Sequence, residues 1–253
     1  MNINAETQIN LVVGDPVRHS QSPAFHQSLY QKMGINAVMI AVDKPGLHEL
    51  ITSIKTLCVR LTAVTLPYKT VILEYVDELS PEVNYLRAAN TLILKNGKIT
   101  AHNTDVFGIE AALAQLELKG KKVLIVGAGG SARALGYVLS HKKAELVWLN
   151  RSLDKAQDLA NVFGGVVVGQ DQVDAIEVDL IVNCTPIGMR SNGTPLPDYK
   201  FNPNQTVFDL VYTPEMTPFL LSAQKDGASI ITGMEMFKAQ AQKQIALAYE
   251  VIS

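Results

Sequence analysis

Hydrophobic positions along the chain follow two alternating spacings, one typical of strands and the other of helices. In the first part, short apolar runs at 9–14, 37–42 and 63–66 predict strands, and the segments 23–33 and 46–56 predict helices. The alternation restarts near residue 121 and predicts strands at 121–126, 145–149, 166–168, 180–184, 207–210 and 229–232, with helices at 131–141 and 234–251. Strands that alternate with helices in this way are typical of α/β proteins with parallel strands.

Between these two series, the dipeptide Asn96-Gly97 separates two short strand-like runs. It favours a type I′ turn, so a two-residue β-hairpin is predicted. Pairing outward from the turn gathers short polar side chains at the open end of the hairpin, namely Asn90, Thr91, Asn103, Thr104 and Asp105. Such side chains form turns more often than they bind ligands, and the hairpin by itself therefore assigns no function.

The composition is that of a globular protein, with 253 residues, 47% hydrophobic and 18% charged, and a net charge of -2. This balance excludes intrinsic disorder, and it provides no basic surface for nucleic acid or an anionic membrane. No apolar run reaches the length of about 18 residues that a membrane helix requires, and the first residues do not resemble a secretory signal, so a cytoplasmic protein is expected. The two cysteines and five histidines lack metal-ligand spacing, and no metal is expected.

A glycine-rich turn follows the strand predicted at 121–126 and opens the next helix. Gly127 suits the tight turn, Gly129 allows the backbone to approach a pyrophosphate, and the small Ala132 permits close helix packing. The amide groups of the helix N-terminus would face the phosphates. Glycines also form ordinary strand–helix turns, but here the strand, the helix and the following strand have the spacing of a dinucleotide-binding Rossmann unit.

The end of the second strand of this unit indicates which dinucleotide is preferred. An NAD site would carry an acidic residue there to bind the ribose 2′-hydroxyl. The chain instead continues with Asn150, Arg151 and Ser152, and Lys155 follows closely. A guanidinium at Arg151 can bind a 2′-phosphate, although a solvated arginine at the start of a helix is also common. Together with the glycines, these residues favour NADP.

Two segments of the first part carry further candidate chemistry. Ser20 and Ser22 follow the first strand, and Pro23 suits the first turn of a helix. The two hydroxyl groups could therefore bind an anionic group, or they could simply cap the helix. Lys69 follows a strand and a proline, but most surface lysines are solvated, and Lys69 alone indicates no function.

Taken together, six segments resemble the shikimate dehydrogenase family, in family order and over nearly the whole chain. They are GDPVRHSQSP, VTLPYK, RAANTLI with HNTD, GAGGSARA with NRS, FDLVYTPEMTP and GMEMFKAQA. This family reduces 3-dehydroshikimate to shikimate with NADPH, on the pathway to chorismate and the aromatic amino acids. The resemblance implies an α/β substrate-binding domain at 1–104, to which a last helix at 234–253 returns, a Rossmann-type NADP-binding domain at 105–233, and a cleft between them.

The resemblance also implies roles for individual residues. Lys69 and Asp105 would form the catalytic pair. The substrate carboxylate and hydroxyl groups would be bound by Ser20, Ser22, Thr65, Asn90, Asp105, Tyr212 and Gln240. The cofactor would be bound by Gly127, Ala128, Gly129, Gly130, Ser131, Asn150, Arg151, Ser152, Lys155, Leu210 and Gly233.

One segment departs from the family pattern, because Ala63 occupies the position of the asparagine in Gly-x-Asn-Val-Thr. A hydrogen bond that would orient the loop near Thr65 and Lys69 is lost, which keeps open a paralogue that oxidises quinate with relaxed cofactor choice. A non-catalytic regulator that binds the same ligands is disfavoured, because Lys69 and Asp105 are both present. The expected partner is a small-molecule substrate, and the expected assembly is a monomer or a homodimer.

Overall fold

The computed structural model describes residues 3–189 and 192–250. It divides into two compact units. Unit one comprises the described residues up to Thr104 together with those from Gln240 onward, and unit two runs from Asp105 to Ala239. The division therefore falls within the last helix of the chain, a few residues after the predicted boundary at 233/234.

Unit one contains a six-stranded sheet with helices around it. Its strands are β1 (Gln8–Gly14), β2 (Ala37–Asp43), β3 (Leu61–Val64), β4 (Glu78–Leu79), β5 (Thr91–Lys95) and β6 (Lys98–His102). Its helices are α1 (Ser22–Met33), α2 (Leu47–Thr56) and α3 (Pro81–Leu86), with a 3₁₀ turn at Val71–Glu74. The strand order is β2-β1-β3-β5-β6-β4.

The sheet of unit one is mixed, whereas the periodicity predicted parallel strands. β1 pairs in parallel with β2 and β3, but β5 runs antiparallel to both β3 and β6. The hairpin is the reason, because its turn at Asn96 and Gly97 has the positive φ angles of 52° and 76° that a type I′ turn requires. The hairpin prediction is thereby confirmed. The third strand ends at Val64 rather than at Leu66, ahead of Pro67, which has no N–H to donate to a strand ladder.

Side chains of β1 alternate between two apolar clusters, one on each face of this sheet. Leu11 and Val13 pack with Leu50 and Ile54 of α2. Val12 lies on the opposite face, in a cluster that includes Leu29 and Tyr30 of α1 and Ile245 and Ala248 of the last helix. The alternation follows from the two-residue period of a strand, and it fixes which helices cover each face.

Unit two is built on a fully parallel sheet. Its strands are β7 (Lys122–Val126), β8 (Glu145–Leu149), β9 (Val166–Val168), β10 (Leu180–Asn183), β11 (Thr206–Asp209) and β12 (Ser229–Ile231). Its helices are α4 (Asp105–Ala112), α5 (Gly130–His141), α6 (Leu153–Phe163) and α7 (Pro218–Lys225), with a 3₁₀ turn at Gln170–Ala175. The last helix, α8 (Gly233–Tyr249), begins in this unit.

The strand order of unit two is β12-β11-β10-β7-β8-β9. Successive strands run outward from β7 on one side and from β10 on the other, which is the order of a Rossmann-type sheet. The point at which the order reverses lies between β7 and β10, and ligands of such sheets bind outside the carboxyl ends of the strands there. The predicted α/β class with a Rossmann-type unit is confirmed.

Within residues 3–189 and 192–250, no helix is long and apolar enough to span a membrane. Across the same residues, no group of three or more His, Cys, Asp or Glu side chains is arranged to hold a metal ion.

Candidate active site

The predicted carboxylate-binding serines lie at the junction between β1 and α1. Ser22 is the first residue of α1 and is buried, and Pro23 follows it in the first turn. The Ser20 hydroxyl accepts a hydrogen bond from the backbone N–H of Ser22 at 3.2 Å. The N-cap position of α1 is Gln21, and no side-chain cap hydrogen bond is present there, so Ser20 shapes the turn that leads into the helix rather than capping it.

Lys69 lies in the loop after β3, and its side chain is buried, with a relative exposure of 8%. The loop is fastened to β1, because the backbone N–H of Thr65 donates to the carbonyl of Val13 at 2.9 Å. The carbonyl of Lys69 accepts a hydrogen bond from the N–H of Ala89 at 2.7 Å. Lysine side chains are rarely buried unless their charge is paired or used. The alternative that Lys69 is an ordinary solvated surface lysine therefore does not hold.

Ala63, the departure from the family pattern, lies in the apolar cluster that contains Val12. Its side chain is buried in β3. The loop that follows is held by backbone groups, since the N–H of Asp15 donates to the carbonyl of Leu66 at 2.8 Å. These backbone hydrogen bonds orient the loop without an asparagine at position 63.

The open end of the hairpin forms a buried polar cluster with α8. The Oδ1 atom of Asn90 accepts hydrogen bonds from the backbone N–H of Thr104 at 2.7 Å and from the Thr91 hydroxyl at 2.8 Å. The Nδ2 group of Asn90 donates to Oε1 of Gln240 at 3.4 Å, and the Thr104 hydroxyl donates to the same oxygen at 3.3 Å. The structure thus brings together Asn90 and Gln240, which are 150 positions apart in the sequence.

The glycine-rich turn of unit two has the geometry that a dinucleotide needs. Gly127 has a φ angle of +114°, and a Cβ atom there would lie 3.2 Å from the carbonyl carbon of Cys184. Gly129 precedes α5 in an extended conformation, and no described atom lies within 4 Å of the position its Cβ would take. Neither strain nor packing within the described chain demands glycine at 129. The open space above the first turn of α5 therefore fits a bound pyrophosphate.

The segment after β8 presents polar and basic groups at the same end of the sheet. Asn150 is held in place by a hydrogen bond from its Nδ2 group to the carbonyl of Ser152 at 2.8 Å. Arg151 and Lys155 are exposed. Arg133, which the sequence analysis did not single out, lies in the first turn of α5, and burial lowers the pKa of its guanidinium.

The loop after β11 is organised by the buried carboxylate of Asp209. Its oxygens accept hydrogen bonds from Nδ2 of Asn183 at 2.9 Å, from the Thr217 hydroxyl at 2.7 Å and from the N–H of Val211 at 3.0 Å. Burial raises the pKa of Asp209 to about 6, although these hydrogen bonds oppose the shift. The carboxylate thus fixes the backbone that leads to the predicted site residues at 210 and 212.

Gly233, Leu210 and Tyr212 are brought together in unit two. A Cβ atom on Gly233 would lie 2.7 Å from the carbonyl oxygen of Leu210, so only glycine allows α8 to start this close to the loop. The ring of Tyr212 stacks on Phe237 of α8 at a centroid distance of 4.4 Å. Asp105 is the first residue of α4 and is buried. Lys69 belongs to unit one and Asp105 to unit two, and their pairing remains a prediction.

The Rossmann-type sheet, the open glycine turn and the buried lysine in a separate α/β unit define a dinucleotide-binding protein with a second unit equipped for a polar small molecule. Residues 12–92 match the family model of the shikimate dehydrogenase substrate binding domain, and residues 110–187 match that of shikimate/quinate 5-dehydrogenase. The chain belongs to the shikimate dehydrogenase family, as the resemblance implied.

Individual relatives support this assignment over almost the full length. A shikimate dehydrogenase (NADP(+)) from Pyrococcus furiosus is 36% identical over 252 residues, which cover 97% of this chain and 91% of the relative. The crystal structure of shikimate dehydrogenase from Aquifex aeolicus is 32% identical, with a TM-score of 0.93, over 99% of this chain and 95% of that one. The structure from Thermus thermophilus, in complex with NADP(H) and shikimate, is 31% identical, with a TM-score of 0.89, over 97% and 95%.

Proposed function

We propose that this protein is an NADP-dependent shikimate dehydrogenase that reversibly reduces 3-dehydroshikimate to shikimate, on the way to chorismate and the aromatic amino acids. The observation that carries the proposal is the burial of Lys69 in the VTLPYK segment of a chain that belongs to this family. Unit one would be the substrate-binding domain and unit two the NADP-binding domain. The two free cysteines agree with a cytoplasmic enzyme. The proposed assembly is a monomer or a homodimer.

The residues present fit NADP. The backbone of 127–131 would hold the pyrophosphate in the open space at Gly129, and the exposed Arg151 and Lys155 would bind the ribose 2′-phosphate, with Asn150 and Ser152 beside them. Leu210 and Gly233 would border the nicotinamide. When bound, NADPH supplies the hydride that reduces the substrate carbonyl.

The substrate would be oriented from both of its ends. Ser20, Ser22 and Tyr212 would bind the carboxylate, and Thr65, Asn90 and Gln240 would bind ring hydroxyl groups. The Lys69 ammonium would donate a hydrogen bond to the carbonyl oxygen, stabilise the alkoxide as it develops and transfer a proton to it. Asp105 would accept a hydrogen bond from the neighbouring hydroxyl and keep the substrate aligned with Lys69.

A steady-state assay tests this function, with shikimate and quinate each offered with NADP and with NAD. We expect shikimate with NADP to give the highest kcat/KM, with NADP favoured over NAD by at least tenfold. A charge-assisted hydrogen bond to the 2′-phosphate contributes about 1.5–3 kcal/mol, which corresponds to a preference of roughly 10- to 150-fold. Arg151→Ala should remove most of this preference by weakening NADP, whereas the exposed Lys225→Ala, at the end of α7, should leave it unchanged.

The same assay separates the alternatives. A higher kcat/KM for quinate, or equal use of both cofactors, would indicate a quinate-oxidising paralogue. Binding of shikimate and NADP without turnover would indicate a regulator.

A further inference from the structure

A buried histidine of α1 contacts a buried glutamine of α8 next to the proposed substrate residues. His26 has no exposed surface. Its Nε2 atom lies 3.0 Å from Oε1 of Gln244, and its Nδ1 atom lies 2.9 Å from the carbonyl oxygen of Ser22. Both residues belong to unit one, and the family resemblance assigned no role to either of them.

The spacing along the two helices gives this contact its position. His26 follows Ser22 by four residues in α1, and Gln244 follows Gln240 by four residues in α8. Each contact residue therefore lies one helical turn from a proposed substrate residue on its own helix. The His26–Gln244 contact lies between a helix that carries a carboxylate ligand and a helix that carries a hydroxyl ligand.

Gln244 extends the contact to the hairpin. Its Nε2 group donates to the Thr91 hydroxyl at 2.9 Å and to the backbone carbonyl of Asn90 at 3.3 Å. Thr91 in turn donates to the Asn90 side chain at 2.8 Å. An unbroken series of hydrogen bonds thus joins His26 to Asn90, another proposed substrate residue.

Backbone groups at both ends determine the direction of these hydrogen bonds. A backbone N–H acts only as a donor, so Thr104 donates to Oδ1 of Asn90. A backbone carbonyl acts only as an acceptor, so the carbonyl of Asn90 accepts from the Nε2 group of Gln244. The amide oxygen of Gln244 therefore faces the His26 ring, and the carbonyl of Ser22 faces its other nitrogen. A neutral imidazole carries one N–H and donates to only one of these two acceptors, and the contact with Gln244 is a hydrogen bond in the tautomer that carries its proton on Nε2. Burial lowers the pKa of His26 to about 4. A neutral side chain that donates at the Nε2 position would satisfy Gln244 fully.

Apolar side chains would fill this part of the core at a lower desolvation cost, since buried polar groups stabilise a fold little. Buried polar groups such as His26 and Gln244 instead provide directional hydrogen bonds, which hold two elements at one separation. We infer that His26 and Gln244 are positioning residues that set the distance between Ser22 on α1 and Asn90 and Gln240 near α8, and so match the site to a ligand with a carboxylate at one end and hydroxyl groups at the other. This inference rests on the proposed function, since that function supplies the ligand.

The experiment compares four variants with the unmutated enzyme. His26→Leu and Gln244→Met remove the contact with little change of volume. His26→Gln keeps a donor that can reach Gln244. Tyr30→Phe is the matched control, because Tyr30 lies one turn further along α1, is equally buried, and its hydroxyl accepts a hydrogen bond from Asn10 at 2.8 Å.

We expect His26→Leu and Gln244→Met to raise the KM for shikimate at least tenfold while kcat changes less than threefold. The KM of the double variant should be no higher than that of the more impaired single variant, because both substitutions remove the same contact. His26→Gln and Tyr30→Phe should stay within threefold of the unmutated KM. In calorimetric binding, His26→Leu and Gln244→Met should weaken the affinity for an analogue without the carboxylate by less than threefold relative to the unmutated enzyme, because that analogue does not span both ends of the site.

Equal losses for shikimate and the analogue, or a similar rise of KM in Tyr30→Phe, would overturn the inference and leave His26 as an ordinary core residue. Failure of the proposed function would be visible separately, as absent shikimate turnover in the unmutated enzyme. Amide hydrogen exchange then tests the positioning role without a substrate. Exchange in the first turn of α1 should accelerate in Gln244→Met but not in Tyr30→Phe, and unchanged exchange would contradict the role.

Discussion

Lys69 is a buried lysine, with a relative exposure of 8%, in the loop that follows β3. If its ammonium group stabilises the alkoxide, loss of that group affects the transition state more than the bound substrate. Lys69→Ala should therefore lower kcat at least 10²-fold, while shikimate binding stays within about tenfold. Turnover numbers and calorimetric affinities measure the two effects separately.

Lys44 provides the matched control for this prediction. It belongs to the same unit, but its side chain is largely exposed and pairs with Asp15 at 3.1 Å. Lys44→Ala should leave kcat unchanged, since exposed ion pairs contribute little. Turnover of Lys69→Ala close to that of the unmutated enzyme would remove Lys69 from the mechanism.

Single residues also mark how far the sequence alone could predict this site. The glycine turn could be predicted, because its geometry depends on neighbours within a few positions, whereas the role of Arg151 at a 2′-phosphate stays a prediction. The pairing of Asn90 with Gln240 and of His26 with Gln244 could not be predicted, because their separations of 150 and 218 positions are closed only by tertiary packing. The burial of Lys69 could not be predicted either, because the local sequence does not show which distant residues cover a loop.

Two glycines of the β7–turn–α5 element, Gly129 and Gly136, should respond differently to replacement by alanine. Gly129 has an extended conformation that alanine also adopts, and no described atom lies within 4 Å of its Cβ position. Gly129→Ala should therefore leave the midpoint of thermal unfolding unchanged or slightly raised. Its affinity for NADP should fall at least tenfold, because the added methyl group occupies the proposed pyrophosphate space.

Gly136, in the middle of α5, is the control. A Cβ atom there would lie 2.7 Å from the Trp148 ring and 2.9 Å from that of Phe163. Gly136→Ala should destabilise unit two by about 1–3 kcal/mol through overpacking, without a selective effect on NADP. Calorimetric NADP titration and thermal melts distinguish the two variants. Unimpaired NADP binding by Gly129→Ala would place the pyrophosphate elsewhere.

At the level of elements, prediction succeeded where the signal was local. The hairpin follows from one dipeptide, and most strands follow from uninterrupted apolar runs. The helices α3, α4 and α7 were not predicted, because they have only six to eight residues and too few turns for a clear period. The antiparallel pairing of β3 with β5 was also missed, since strand order depends on contacts that periodicity does not encode.

Across the whole molecule, the two units contain buried groups whose titration affects folding in opposite directions. Burial lowers the pKa of His26 in unit one from 6.5 to about 4, and it raises the pKa of Asp209 in unit two from 3.8 to about 6. As pH falls from 6.5 to 4, His26 binds a proton in the unfolded state but stays neutral in the folded state, so unit one loses stability. As pH falls from 6 to 3.8, folded Asp209 gains a proton before the unfolded form does, so unit two gains stability.

Each effect amounts to about 3 kcal/mol over its range. Hydrogen exchange at about pH 7 and about pH 4.5, corrected for intrinsic rates, should therefore show weaker protection of β1 and β3 and stronger protection of β7 and β10 at the lower pH. Asp209→Asn should abolish the gain in unit two, and His26→Gln should abolish the loss in unit one. Parallel changes in both units would contradict this assignment of the two pKa values.

Unit one is assembled from the two ends of the described chain, and this has a consequence for protein synthesis. Ile245 and Ala248 complete the apolar face around Val12, and Asn10 of β1 donates a hydrogen bond to the Tyr249 hydroxyl at 2.7 Å. A ribosome releases these residues only after it has made all of unit two, which is contiguous from 105 to 239. Unit two can therefore fold before the last part of α8 is available to cover the sheet of unit one. In this chain the second unit is completely synthesised before the first, whereas in most multidomain chains the N-terminal domain is completed and folds first.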